Sequence, residues 1–141
     1  MKNIKFRTIL ALVLFTLLSL QSCDKAKQLE GTTWEGDCDF TVDRWDEKYD
    51  GTITISFAAD DADVVAKFKV KDTYYGDTYT ENHKATATYT CEKDVVTLRI
   101  KWKTGESFID DIDDGKWSGT FDKTTMTLKN VFGETVRFKK S

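Results

Sequence analysis

The sequence predicts an all-β protein, folded as a single small antiparallel up-and-down barrel of about eight strands. Three observations predict it. Side-chain character alternates with a period of two through most of the chain after residue 30, the mark of strands with one buried face. The connectors between these runs are short and turn-like, so successive strands must be antiparallel neighbours. No segment beyond the first 22 residues carries an apolar stripe at helical spacing over ten or more residues. With one apolar face per strand, a flat sheet would leave that face wet, whereas a closed barrel buries it and removes both edges.

Each element follows from the same alternation. Thr33–Val42 sets Trp34, Gly36, Cys38, Phe40 and Val42 on one face, against Thr33, Glu35, Asp37, Asp39 and Thr41. Gly51–Phe57 offers Ile53, Ile55 and Phe57; Asp63–Lys71 offers Val64, Ala66, Phe68 and Val70 opposite Val65, Lys67, Lys69 and Lys71. In His83–Cys91 the inward set is Ala85, Ala87, Tyr89 and Cys91, and in Val95–Trp102 it is Val96, Leu98, Ile100 and Trp102. Lys116–Phe121, Thr125–Lys129 and Glu134–Lys139 complete the series with Trp117, Gly119, Phe121, Met126, Leu128, Val136 and Phe138. Ser107–Asp111 is a weaker candidate for a ninth strand. Turns fall at Glu92-Lys93-Asp94, Lys103–Glu106, Asp122-Lys123-Thr124 and Asn130–Gly133. The stretch Lys71–Thr80 reads as the longest irregular segment.

The amino terminus has a different character. Lys2, Lys5 and Arg7 precede a 12-residue apolar run, Ile9–Leu20, which reads as a secretory signal peptide. That run falls short of the roughly 20 residues a membrane-spanning helix needs. Leu20-Gln21-Ser22-Cys23 resembles the lipobox of bacterial lipoproteins, with an aliphatic residue at −3, a small one at −1 and then cysteine; Gln21 replaces the small residue commonest at −2. The resemblance implies cleavage after residue 22 and lipidation of Cys23, followed by a polar tether over residues 23–30 and a barrel domain over residues 31–141. It also implies the cell envelope of a Gram-negative bacterium, anchored to a membrane, the outer one expected, with the face left open. Acyl chains hold such a domain firmly, at about 0.8 kcal/mol per buried methylene.

Composition narrows the classes further. The whole chain of 141 residues has 40% hydrophobic, 32% charged and 13% aromatic content and no proline. That length suits one domain. Removing the leader takes three of the 21 basic side chains and none of the 24 acidic ones, which leaves a net charge of −6. An acidic balance speaks against nucleic acid as a partner, and abundant aromatics speak against disorder. With Cys23 assigned to lipid, Cys38 and Cys91 form an even pair outside the cytoplasm. They either close a loop of about 50 residues, worth about 3–4 kcal/mol, or remain two separate buried thiols.

Leu29-Glu30-Gly31-Thr32-Thr33-Trp34 is similar to the glycine-x-tryptophan opening of lipocalins and their bacterial relatives, with one extra residue between glycine and tryptophan. Trp117-Ser118-Gly119-Thr120-Phe121, Thr125-Met126-Thr127-Leu128 and Val136-Arg137-Phe138 resemble the last hairpins of small lipocalin-like lipoproteins. The resemblance covers about a quarter of the chain. It implies a lipocalin-like barrel, closed at one end, that often holds a small apolar molecule.

Catalytic chemistry has little to work with. His83 is the single histidine and reads as a surface or packing residue; no serine or cysteine has a partner at motif spacing. Carboxylates are too many for any acid pair to stand out, so no enzyme is expected. Neither a metal nor a cofactor is expected: two cysteines and one histidine do not make a zinc site. In Asp110–Gly115 the EF-hand template fails, because Ile112 falls where an oxygen ligand belongs.

Two readings of function remain. In the first, Trp34, Phe40, Phe57, Phe68, Tyr89, Trp102, Trp117 and Phe121 line a pocket for a small apolar ligand, with Ala66, Ala85, Ala87, Gly36 and Gly119 leaving room beside them. In the second, the barrel is a scaffold, and an interaction or inhibitor module uses loops including Tyr74, Tyr75 and Tyr79 to dock a protein or glycan partner. The volume left in the lumen separates them.

Overall fold

The computed structural model describes residues 27–42, 46–102 and 115–141. The leader and Cys23 therefore lie outside the described residues, as do the acidic run up to Asp114 and the ninth strand proposed for Ser107–Asp111. Eight strands close into an antiparallel barrel in chain order, as the alternation predicts. They are β1 (Thr33–Val42), β2 (Glu47–Phe57), β3 (Asp61–Asp72), β4 (Thr78–Glu92), β5 (Val95–Trp102), β6 (Lys116–Phe121), β7 (Thr125–Asn130) and β8 (Thr135–Lys140). Among the described residues no helix is long and apolar enough to cross a membrane.

The strands differ in reach. β1 to β4 run 10, 11, 12 and 15 residues, whereas β6, β7 and β8 run 6 each. β1 pairs with β2 over its whole length, from Thr33 opposite Ser56 to Val42 opposite Glu47. Its closing pairing with β8 covers only Trp34 to Asp37, opposite Lys140 to Arg137. The barrel thus has two unlike ends. The base holds the start of β1, the end of β8 and the turns β2–β3, β4–β5 and β6–β7. At the rim lie the end of β1, the start of β2, the β3–β4 link, the end of β5, the start of β6 and the β7–β8 turn, and there the long strands project past the short ones.

The base is sealed. A short helical turn at Lys27–Leu29 sets Leu29, fully buried, beneath the barrel. Its carbonyl accepts from the Thr32 amide at 3.0 Å, and the Thr32 hydroxyl in turn accepts the Trp34 indole N–H at 2.8 Å. Gly31 takes φ of 73°, a left-handed turn that favours glycine, and its N–H reaches the Phe57 carbonyl at 2.8 Å. Trp34 is 1% exposed and Met126 likewise, so the plug is packed from both sides.

Two expectations change in the structure. Gly36 and Gly119 leave no cavity. A Cβ on Gly36 would meet Val136 Cγ1 at 2.7 Å and Phe138 Cδ1 at 2.9 Å, and one on Gly119 would meet the Thr127 carbonyl oxygen at 1.8 Å. These glycines let a side chain or the next strand come close, as glycines at barrel bends do. The long irregular stretch also shrinks. β3 continues to Asp72 and β4 begins at Thr78, so only a five-residue hairpin link, Thr73–Asp77, stands between them.

Candidate functional site

The inner face carries the eight aromatics proposed for a pocket, but spreads them along the barrel axis. Trp34, Phe57, Tyr89 and Phe121 belong to the base. There the Phe57 and Tyr89 rings pack edge to face at 4.9 Å, and the Tyr89 hydroxyl donates to the Ala58 carbonyl at 2.6 Å. Phe40 and Phe68 sit toward the rim, 6.3 Å apart and tilted edge on. Trp102 and Trp117 line an apolar crevice with Ile53, Ile55, Ile100, Leu128 and Phe138; it has room for about 10 Å³. That is about one water-sized sphere, whereas ligand pockets run to about 300–1,000 Å³. Six of the eight aromatics are buried, Tyr89 and Trp102 partly so. Within the described residues most inner-face side chains are buried against one another, and this crevice is too small to hold a ligand.

Toward the rim the inner face turns polar. β2 and β4 keep their alternation past Gly51 and His83, but the inward positions become Tyr49 and Glu47 on one strand and Glu81 and Tyr79 on the other. The Tyr49 and Tyr79 hydroxyls both donate to the Glu47 carboxylate, at 2.6 and 2.8 Å. His83 Nε2 lies 2.8 Å from Glu81 Oε2, and its ring stands 6.0 Å from Phe68. Burial and the bond to Glu47 push the Tyr49 phenol well above its ordinary value, and the same two causes push Tyr79 up to about 12. Both phenols therefore stay protonated donors at neutral pH. His83 is a packing residue, buried on this inner face.

The three tyrosines expected to act as one loop are separated by the fold. Tyr79 belongs to β4 and is tied to Glu47, whereas Tyr74 and Tyr75 sit in the β3–β4 link, 77% and 76% exposed. This link is held in shape. The Asp72 carboxylate accepts the amides of Tyr74 and Tyr75 at 2.8 and 2.9 Å, an Asx-type cap on the turn. Gly76, at φ of 77°, returns its amide to the Asp72 carbonyl at 2.9 Å. The Thr73 amide reaches the Asp46 carbonyl at 2.9 Å, which ties the hairpin to the β1–β2 connection. The two exposed rings meet edge to face at 4.8 Å.

The turn expected at Asn130–Gly133 forms, and it carries exposed hydrophobic side chains that the sequence reading did not single out. Val131 and Phe132, 58% and 59% exposed, form the β7–β8 turn, whose shape is fixed by Asn130 Oδ1 accepting the amides of Phe132 and Glu134 at 3.1 and 2.9 Å. Of the six large hydrophobic side chains exposed among the described residues, five lie at the rim and only Val95 at the base. Side chains of this kind inside a hairpin link break the polar pattern of a turn, which is the sequence signal that could have found them.

Cys38 and Cys91 are separate free thiols here. Cys38 points inward on β1 with its Sγ 3.6 Å from the Gly51 carbonyl, and Cys91 lies at the base end of β4, 3.6 Å from the Lys93 carbonyl. Burial, then the charges of Asp37, Asp50 and Asp39, push the Cys38 thiol up to about 12, so it is a poor nucleophile. Among the described residues no group of three or more His, Cys, Asp or Glu side chains is arranged to hold a metal.

Fold and site together define a closed eight-stranded meander barrel with a packed interior and an aromatic rim. No protein-family model matches the chain, and no curated protein matches it.

Proposed function

We propose that this chain is a lipid-anchored envelope lipoprotein and a non-catalytic interaction module, whose barrel is a scaffold and whose rim docks a protein partner through Tyr74 and Tyr75. One contrast carries the reading: the apolar crevice on the inner face has room for about 10 Å³, while two aromatic side chains stand three-quarters exposed on a hairpin fixed by hydrogen bonds. Tyrosine supplies large contact area at low entropic cost, and a preordered loop lowers that cost further. The edge-to-face ring pair offers no flat platform for a sugar, which favours protein over glycan. The amino terminus of the barrel lies at the base, so a lipid on Cys23 would leave the rim facing away from the membrane. A small apolar ligand is the weaker reading, because a crevice of about 10 Å³ admits nothing of that size.

The test is co-purification of the full chain from cells that natively produce it, beside a Tyr74→Ala/Tyr75→Ala variant. The reading expects a stoichiometric protein partner that the variant loses while its thermal melt is unchanged. An identical set of partners, or none in either sample, would contradict it.

A further inference from the structure

The outer face of the barrel beside the tyrosine hairpin is unlike the rest of this acidic molecule. β3 directs Lys67, Lys69 and Lys71 outward at alternate positions, and Lys48 of β2 stands directly opposite Lys71. Like charges facing each other across a sheet are destabilising. Among the described residues Lys67, Lys69 and Lys71 have no ion-pair partner, and Lys48 is held by Asp39 at 3.2 Å. Lys48, Lys69, Lys71, Asp50 and Thr78 line a groove of about 440 Å³. Asp50, opposite Lys69, is the carboxylate within the groove; Glu35, Asp37 and Asp39 form the outer stripe of β1, and the outer positions of β4 from Thr78 to Thr90 include no carboxylate. A net-negative chain has thus gathered four lysines against the single groove carboxylate Asp50 and the Asp39 that holds Lys48, leaving this face locally positive at the rim.

We propose that this lysine groove receives an acidic segment of the protein partner, in extended conformation, alongside Tyr74 and Tyr75. The inference rests on the docking reading and adds the chemistry of the partner. Alternate residues of a strand are about 6.6–6.8 Å apart, so carboxylates at alternate positions of an extended segment meet Lys67, Lys69 and Lys71 in register. The groove and the hairpin are neighbours, since Lys71 and Thr78, which line the groove, flank the link that Asp72 caps. Its cations are all lysines, point charges suited to carboxylates, without the planar fork that arginine offers to phosphate or sulfate. Its place at the rim, opposite the end that a lipid would anchor, argues against the chain's own membrane as the anionic surface.

The experiment uses the full chain in detergent and poly-L-glutamate as the probe, with affinity read by fluorescence anisotropy. Saturable binding is expected, weakening about tenfold as salt rises from about 0.01 to 0.15 M and the screening length shortens. Lys69→Glu/Lys71→Glu abolishes it, Lys69→Gln/Lys71→Gln weakens it, and Lys139→Glu on β8 leaves it in place. Tyr74→Ala/Tyr75→Ala retains binding of this homopolymer, which isolates the groove from the hairpin. No binding at low salt would overturn the inference. So would equal loss in Lys139→Glu, or tighter binding to phosphatidylglycerol vesicles or polygalacturonate than to polyglutamate. If Tyr74→Ala/Tyr75→Ala loses the native partner while polyglutamate fails to bind, docking stands and the acidic partner falls. If polyglutamate binds and the tyrosines prove dispensable for the native partner, the groove stands without the hairpin.

Discussion

The base and the rim are built from the same eight strands and share almost no chemistry. At the base the inward side chains are mostly apolar, from Trp34 and Phe57 to Phe121 and Met126, Gly31 and Ser141 are pinned to neighbouring strands, and Leu29 fills the floor. At the rim the inward positions of β2 and β4 are Glu47, Tyr49, Tyr79, Glu81 and His83, beside Phe40, Phe68 and Val70 of β1 and β3, and the turns hold their aromatics out to solvent. The contrast teaches where the fold keeps its stability and where it has freedom for recognition. Closure between β1 and β8 uses only the base end of β1, so among the described residues the projecting halves of β1 to β4 pair only with one another.

The sharpest way to break this division is at the floor. Trp34→Ala removes a buried ring and its bond to Thr32, and a loss of about 3–5 kcal/mol is expected from urea unfolding. Tyr49→Phe at the rim removes a hydroxyl bonded to a carboxylate, with an expected loss of about 1.5–3 kcal/mol. A rim variant that costs as much as Trp34→Ala would mean that the barrel is stabilised evenly.

The remaining effects are smaller. In the β6–β7 turn at the base, the Asp122 carboxylate accepts the amides of Thr124 and Thr125, both at 2.8 Å, which lowers its pKa to about 2. A depressed carboxylate contributes stability above its unfolded value of about 3.9 and loses it as pH falls through the folded value. The difference in melting temperature between the native chain and Asp122→Asn is therefore present at pH 5 and shrinks toward pH 2. If it is the same at both, the turn does not depend on that charge. The two thiols give a last comparison: with its pKa up at about 12, Cys38 should resist iodoacetamide at neutral pH while half-buried Cys91 reacts. Equal labelling would mean that the middle of the barrel opens.

How far the fold could be read in the sequence tracks this same division. β1 and β5 to β8 were legible within about a residue, because an apolar side chain marks every second position. β2 and β4 were cut short at Gly51 and His83, because beyond those residues the inward positions are Glu47 and Tyr49 or Tyr79 and Glu81, and hydrophobic periodicity loses its signal. The close packing at the inward glycines was not legible at all. Gly36 and Gly119 look like empty space in one dimension, and only the register shows Phe138 and Thr127 occupying it. Tyr74 and Tyr75 were visible as recognition chemistry, whereas the separate placement of Tyr79 and the exposure of Phe132 needed the strand boundaries. The lysine stripe was visible on β3, but its meeting with Lys48 required the β2–β3 register.

The central claim is that this barrel acts from its rim and carries nothing inside. Native mass spectrometry of the full chain, purified from the membrane of cells that natively produce it, tests that most directly when run before and after organic extraction. The account predicts the same mass in both runs, because any lipid on Cys23 is covalent and survives extraction. A stoichiometric excess of one small molecule that disappears on extraction would contradict it and return the function to the lumen.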